Sequence, residues 1–223
     1  MTAAKRLLDV LASAAGLVVL APVLAVIATL VALDGGPAIF GQERVGRRGR
    51  PFRMWKFRTM VVDAERRGPP LTVGADARIT RIGAWLRRHK LDELPQLVNV
   101  LRGDMTLVGP RPEVRRYVAR YTAEQRRVLD LVPGITDPAS VRFRDESLLL
   151  AGAADPEALY VSRLVPEKIR VNLDYAARAT VWSDLVVILT TLGGLFTFSR
   201  PAAAGGMRTS AARWDDPYVR VEQ

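Results

Sequence analysis

Two adjacent acids, Asp92 and Glu93, are the residues best placed for chemistry, because they stand directly before a short apolar segment that resembles a helix. Pro95 falls in the first turn of that segment, where proline is tolerated. A helix N-terminus is electropositive and favours anions. Neighbouring side chains point in different directions, so one carboxylate can face a substrate while the other holds a cation. Taken alone, such a pair is most often a helix cap, and that alternative stays open here.

The scarce residue types exclude several kinds of chemistry. The 223-residue chain has no Cys and a single His, His89. Disulfide frameworks, thiolate nucleophiles and zinc ribbons are therefore excluded, and a Ser-His-Asp triad is hard to build. A hydrophobic content of 49% argues against a disordered chain. The net charge of +10 fits nucleic acid, an anionic membrane surface or a phosphorylated small molecule as partner.

Basic residues recur at positions that suit anion binding. Lys56 and Arg58 alternate with aromatic residues, which on a strand places the two cations on one face. That face either binds an anion or is simply solvated, and the pattern supports both equally. Arg111 lies between two prolines, which stiffen its loop and suit a phosphate clamp, although a plain turn is the alternative. Arg87 precedes Asp92 closely enough to share its pocket if the chain turns between them.

The remaining pattern predicts the elements that position these residues. Residues 38–60 have two apolar-polar stretches around a Gly/Arg-rich turn, which predicts a β-hairpin. Asp76 is expected to cap a helix, and Gly103 to end a short one. Asp184 is a lone acid in the apolar stretch 181–198, so we expect it to have a partner or to line a polar site. Further helices are predicted at 94–102, 113–131 and 156–181.

The chain has one long apolar segment, residues 10–33, which carries no charge. A helix of about 20 apolar residues spans the hydrocarbon core of a bilayer. Pro22, near its middle, is expected to bend the helix. Basic residues on both sides agree with two cytoplasmic ends and a helix that dips into one leaflet. Proline is also common in spanning helices, so the residues alone favour an ordinary kinked span.

Three blocks, in this order, carry a specific resemblance. They are FGQERVGRRGRPFRMWKFRTM at 40–60, DARITRIGAWLRRHKLDELPQLVNVLRGDMTLVGPRP at 76–112, and VPGIT at 132–136. Together they closely resemble the bacterial sugar transferase family, the monotopic phosphoglycosyl transferases that initiate glycoconjugate and exopolysaccharide assembly. The resemblance covers roughly residues 4–198, and its central block is the most specific part.

The resemblance implies an α+β, mainly helical fold. Residues 1–36 would form a re-entrant membrane helix broken at Pro22, which reverses the preference for a spanning helix. Residues 37–198 would form a cytoplasmic catalytic domain with a small β-hairpin and membrane-surface amphipathic helices, and 199–223 a loose tail. The implied location is the cytoplasmic face of the inner membrane.

The resemblance also implies a reaction. A sugar 1-phosphate would pass from a UDP-sugar to polyprenyl phosphate, with release of UMP. Asp92 matches the family's nucleophile, which forms an aspartyl phosphosugar, and Glu93 matches the partner acid that helps to bind Mg²⁺. The implied substrate-binding residues are Lys56, Arg58, Arg87, Arg111, Arg144 and Asp184.

The sequence departs from the family pattern at three places that matter. Val132 occupies a position that is often basic in relatives, which removes one possible phosphate contact. Ala21 stands where a Ser often precedes the kink proline, and TDPAS at 136–140 replaces the commoner TGLxQ pattern, which leaves the sugar undetermined. The competing hypotheses are a membrane-tethered nucleic-acid-binding protein and a structural membrane adaptor. The resemblance implies no nucleic-acid partner, and it leaves the oligomeric state open, with a homodimer as one option.

Overall fold

The structure is a computed structural model that describes residues 1–196 except 69–70, 73–75 and 144–145. Helices predominate, so the predicted mainly helical fold with a little β-structure is confirmed. The predicted tail at 199–223 lies outside the described residues. The helices are α1 Ala3–Leu33, α2 Ala64–Arg67, α3 Arg81–Arg88, α4 Gln96–Arg102, α5 Arg115–Val118, α6 Pro138–Arg142, α7 Glu146–Ala151, α8 Pro156–Leu159, α9 Val165–Ala176 and α10 Val181–Phe196. The strands are β1 Ile39–Val45, β2 Pro51–Phe57, β3 Thr106–Val108 and β4 Gly134–Thr136.

The predicted β-hairpin is confirmed. Strands β1 and β2 pair antiparallel, with Phe40 opposite Lys56 and Arg44 opposite Phe52. The connection turns through Arg48 and Gly49, both at positive φ, where glycine is favoured. The hairpin therefore presents Arg44 and Lys56 on neighbouring strands.

Two of the predicted helices differ from the observed ones. The first helix after the hairpin begins at Arg81 and is capped by Thr80, whose side chain accepts from the Gly83 N–H, so the predicted cap at Asp76 is wrong. Asp76 instead accepts hydrogen bonds from Arg78 within a turn. The stretch predicted as one helix at 113–131 contains only the short α5 and a 3₁₀ segment at Gln125–Asp130. Its polar sequence lacks the continuous apolar stripe that holds a long helix on a core.

A second, parallel pair of strands supports the loop that carries Arg111. Thr106 is opposite Gly134, and Val108 is opposite Thr136. A Cβ on Gly134 would lie 2.1 Å from the backbone N of Gly109, so only glycine permits this approach. The Gly134 N–H also donates to the carbonyl of Pro110 at 3.0 Å, which fixes the start of the loop.

Helix α1 runs as one helix with Pro22 inside it, and the two helices predicted on either side of Pro22 are not separate elements. It is long and apolar enough to cross a membrane by length and composition. Near its start, Asp9 is buried and accepts from the Thr106 hydroxyl at 2.7 Å. Near its end, Ile27 and Val31 pack in a core cluster with residues of β2 and α3. Both ends of α1 therefore rest on the same domain.

Candidate active site

A sharp change of chain direction places the acid pair. Helix α3 ends at Arg88, and Lys90 adopts a left-handed conformation with φ of 56°. A 3₁₀ turn at Leu91–Glu93 follows, and the chain continues through helical backbone into α4. A left-handed residue other than glycine is uncommon and marks a constrained position. This turn brings the end of α3, with Arg87, close to Asp92.

Glu93 is fixed by Arg111. The Arg111 guanidinium donates to both carboxylate oxygens, from Nη2 to Oε1 at 2.6 Å and from Nη1 to Oε2 at 3.3 Å. Burial alone would raise the pKa of Glu93, but the charge and hydrogen bonds of Arg111 outweigh it and lower the pKa to about 2. The pairing in turn raises the pKa of Arg111. Glu93 is thus an ionised carboxylate held in one orientation.

The pKa of Asp92 is shifted in the direction opposite to that of Glu93. It is only 7% exposed, and its Oδ1 is buried without a hydrogen-bond partner among the described residues. Burial, followed by the neighbouring charge of Glu93, raises the pKa of this carboxyl, against the lowering effect of Lys56, Lys90 and Arg87. A poorly solvated carboxylate beside cations, with one oxygen that lacks a hydrogen bond among the described residues, is suited to act on a ligand.

Five cations face the two acids. Arg87 is oriented by its Nε, which donates to the Thr59 hydroxyl at 2.8 Å. Burial lowers the pKa of Lys56 to about 7, and the nearby charges of Arg44 and Arg111 contribute to that shift. Burial is the larger cause of this shift, and the contribution of the two arginines shows that Lys56 lies among other cations, an arrangement that suits an anionic ligand. The cations are Arg44, Lys56, Arg87, Lys90 and Arg111.

The structure brings together five of the residues predicted for the site. They are Asp92, Glu93, Lys56, Arg87 and Arg111. Arg144 lies outside the described residues, and no structural statement is made of it.

The structure corrects the predicted substrate-binding role of Arg58. It lies one residue beyond the end of β2, so the strand alternation that was to place it beside Lys56 no longer applies. It is 6% exposed, and its three nitrogens donate to the carbonyls of Val31 at 2.7 Å, Pro37 at 3.0 Å and Met60 at 3.2 Å. Its guanidinium therefore binds the exit of α1 and not the acid pair.

The structure also corrects the predicted substrate-binding role of Asp184. It is 2% exposed, and it pairs with Lys5 Nζ at 2.5 Å and accepts from the Tyr175 hydroxyl at 2.6 Å. The expectation that this lone acid has a partner is confirmed. Its contacts tie α10 to the start of α1, which makes it a structural residue and not part of the Asp92 site.

Sequence reasoning missed two cations of the site. Arg44 donates from Nη1 to the carbonyl of Pro112 at 3.1 Å and from Nη2 to Gln42 Oε1 at 2.7 Å, so it also braces the loop of Arg111. Lys90 acts on both acids. The signal for Lys90 was its place two residues before Asp92. Arg44 could have been found from its position on the strand that pairs with that of Lys56.

The acid pair fits a magnesium ion. No cluster of three or more metal-binding side chains occurs in the part of the chain that the structure describes. Mg²⁺ is usually held by one or two carboxylates together with substrate phosphates and water, so it does not need such a cluster. The partnerless, buried Asp92 Oδ1 and the adjacent ionised Glu93 carboxylate meet that requirement.

Comparison with known proteins identifies the family to which the chain belongs. The sequence profile described as bacterial sugar transferase matches residues 1–198. The chain belongs to the bacterial sugar transferase family. The family resemblance expected from the sequence is therefore confirmed.

Several named proteins are similar in sequence to this bacterial sugar transferase. The chain is 38% identical over 200 residues to "Galactosyl transferase CpsE" of Streptococcus agalactiae, which covers 85% of this chain and 41% of the relative. It is 38% identical over 207 residues to "UDP-glucose:undecaprenyl-phosphate glucose-1-phosphate transferase" of Caulobacter vibrioides, covering 86% and 70%. It is 44% identical over 135 residues to "Putative undecaprenyl-phosphate N-acetylgalactosaminyl 1-phosphate transferase" of Bacillus subtilis, covering 60% and 72%. The chain thus spans less than half of the streptococcal relative.

Proposed function

We propose that this bacterial sugar transferase is a phosphoglycosyl transferase that moves a sugar 1-phosphate from a UDP-sugar to polyprenyl phosphate and releases UMP. The names of the relatives support the acceptor, since two of them specify undecaprenyl phosphate. Those names differ in the sugar, so the donor is best identified with a panel of UDP-sugars. The observation that carries the proposal is the buried Asp92 carboxyl, whose Oδ1 has no hydrogen-bond partner among the described residues and which lies near Lys56, Lys90 and Arg87.

In the first step, Asp92 is the nucleophile. A carboxylate oxygen attacks the β-phosphorus, and the bond from that phosphorus to the bridging oxygen breaks in line. UMP leaves with the bridging oxygen, and the sugar phosphate stays on Asp92 as an acyl phosphate. The raised pKa of Asp92 makes its carboxylate a better nucleophile than a solvated one.

In the second step, an oxygen of the polyprenyl phosphate attacks the same phosphorus. The bond to Asp92 breaks, the carboxylate is restored, and the product is a polyprenyl diphosphate sugar. The same site serves donor and acceptor in turn, so it need not hold both phosphates at once.

The cations stabilise the charge of both steps. Phosphoryl transfer depends on positioning and charge neutralisation more than on proton transfer. Lys56, Arg87 and Lys90 act directly on Asp92, while Arg111 holds Glu93. Glu93, next to the nucleophile Asp92, would help to hold Mg²⁺, which when bound would neutralise charge on the pyrophosphate oxygens.

The proposed location is the cytoplasmic face of the inner membrane, with α1 as a re-entrant anchor. A helix that spans the hydrocarbon carries its far end about 30 Å from the near surface. The contacts of Asp9 at one end of α1 and of Val31 at the other, both with one domain, support a helix that returns to the side it entered. Its exposed apolar residues would face lipid; among them are Leu7, Leu11, Val18, Val19, Val26 and Leu30.

Release of UMP tests the proposed function. The wild-type protein, with undecaprenyl phosphate, Mg²⁺ and each UDP-sugar in turn, should release UMP with at least one donor. The Asp92→Asn variant should release none while keeping the wild-type far-ultraviolet circular dichroism. Glu124→Gln, which removes an exposed acid elsewhere, is the matched control and should keep full activity. Full activity of Asp92→Asn would refute the proposed role of Asp92.

A further inference from the structure

A cavity of about 720 Å³ adjoins the acid pair and has two chemically different parts. At one end it is lined by Arg87, Lys90 and Arg111. Elsewhere its wall is more apolar than polar and includes residues of α4, β3, β4 and α10, together with residues of α6, α7 and α9. Polar side chains, among them those of Ser140, Glu146 and Lys168, line the cavity as well. The apolar lining residues on α4, β3, β4 and α10 are Leu94, Leu97, Leu107, Ile135, Ile188 and Leu192.

Helix α10 contributes a distinct face to this cavity. Ile188, Thr191 and Leu192 line it, and the Thr191 hydroxyl lies 2.7 Å from that of Thr136 on β4, which holds the helix in place. The adjacent face of α10 exposes Trp182 and Leu189. When a helix is apolar on two faces, each of those faces is expected to contact an apolar environment. For α10 one side is the cavity wall, and the other faces away from the protein.

The cationic end of the cavity lies near the proposed nucleophile, Asp92. Asp92 is not among the cavity's lining residues, but Arg87 and Lys90, which are, act on its carboxylate. A phosphate held by these two cations would therefore lie beside Asp92. A ligand that matches both these cations and the apolar wall of α4 and α10 carries a phosphate at one end and an apolar chain behind it.

We propose that this cavity binds the acceptor, with the phosphate at Arg87 and Lys90 and the first isoprenyl units along Ile188 and Leu192. This proposal rests on the proposed function. A nucleotide sugar fits the α4 and α10 part of the wall less well, because its hydroxyls and base would lie against Leu97, Ile188 and Leu192, whose side chains offer no hydrogen bond. The acceptor's apolar chain has the opposite requirement and gains from leaving water.

Measuring the two steps separately, UMP release from the donor and transfer to the acceptor, distinguishes acceptor binding in this cavity from donor binding. Ile188→Phe fills the cavity without adding a polar group, and Ile188→Ala shortens its wall. We expect Ile188→Phe to raise the acceptor concentration for half-maximal rate about ten-fold or more. UMP released in a single turnover without acceptor should stay at the wild-type rate. Leu189→Phe and Leu189→Ala, on the adjacent exposed position, are the matched controls and should leave both measurements unchanged in detergent.

The outcomes are distinct. If Ile188→Phe slows the single-turnover release of UMP, the cavity takes the donor and the proposal is overturned. Unchanged acceptor kinetics in both Ile188 variants would overturn it as well. If the wild type itself releases no UMP, the proposed function fails, independently of the cavity.

A binding measurement needs no turnover. Farnesyl phosphate, inorganic phosphate and farnesol are titrated calorimetrically into Asp92→Asn protein with and without Ile188→Phe. We expect farnesyl phosphate to bind most tightly and to lose about ten-fold in affinity with Ile188→Phe. Inorganic phosphate should bind weakly and equally to both proteins. Equal affinity of both proteins for farnesyl phosphate would contradict the proposal.

Discussion

Arg111 grips both oxygens of Glu93, at 2.6 Å and 3.3 Å, while the adjacent Asp92 has an oxygen with no partner among the described residues. Two neighbouring carboxyls thus have pKa values shifted in opposite directions. Pairs of acids whose environments push their pKa values apart commonly take different roles. Here the division assigns Glu93 to fixed negative charge and Asp92 to reaction with the ligand.

Arg111→Lys should lower the rate of UMP release about 100-fold. A lysine cannot form the two parallel hydrogen bonds that hold the Glu93 carboxylate, and it lacks the planar fork that binds phosphate. Arg115→Lys, at an exposed position on the following helix, is the matched control. A rate for Arg111→Lys within two-fold of the wild type would show that the bidentate contact is unimportant.

The same pair should govern stability at acid pH. Arg111 lowers the pKa of Glu93 from its usual 4.5 to about 2, so the ionised form is favoured in the folded state. This stabilisation is present above pH 4.5 and is lost as the pH falls towards 2. In Arg111→Ala only Lys90 and Lys56 oppose the burial of Glu93, so its pKa should rise, and the gain in stability with rising pH should shrink or reverse. Urea unfolding from pH 3 to 7 would test this; parallel pH profiles for the two proteins would contradict it.

Lys56 should make donor binding sensitive to pH near neutrality. Burial lowers the pKa of this lysine to about 7, so its charge is lost as the pH rises through that value. UMP should therefore bind more weakly at pH 8.5 than at pH 6.5. Lys56→Arg keeps its charge throughout and should flatten the profile. Calorimetric titration of UMP into both proteins checks this, and the same slope in both would assign the pH dependence elsewhere.

Arg58→Ala should lower stability and leave donor binding intact. The substitution removes a buried guanidinium that donates to three carbonyls, two of them at or just after the end of α1, and we expect a loss of about 2–3 kcal/mol in the free energy of unfolding. Denaturant unfolding and UMP titration should be measured on the same preparation. Weaker UMP binding at unchanged stability would restore the phosphate-binding role predicted from the sequence.

Much of the local structure was predictable because it depends on short-range pattern. Alternation along 38–60 gave the hairpin, and Gly103 marked the end of α4 at a left-handed residue. The acid pair at the helix start was visible for the same reason.

The rest depends on long-range contacts that leave no periodic signal. Strands β3 and β4 have three residues each, too few for a pattern, and their pairing depends on glycines at 109 and 134 that look like ordinary turns. Alternation along the strand predicts Arg58 on the face of Lys56, because nothing local shows that β2 ends at Phe57. The left-handed Lys90, which turns α3 towards Asp92, likewise has no sequence marker.

The course of α1 can be tested by labelling. We expect both of its ends to lie in the cytoplasm. The chain has no native cysteine, so single cysteines at Thr2→Cys and Asp34→Cys can be probed cleanly in intact cells with a membrane-impermeant maleimide. Neither should react until the cells are opened. Reaction of one of the two from outside would indicate a spanning helix.

The covalent state of Asp92 is the most direct test of the proposed mechanism. The intact mass of the protein is measured after incubation with Mg²⁺ and the active UDP-sugar, without acceptor, and the modified peptide is then sequenced. We predict a single added sugar phosphate on Asp92 that disappears when undecaprenyl phosphate is supplied. UMP release without any adduct, or an adduct that persists in Asp92→Asn, would contradict the mechanism.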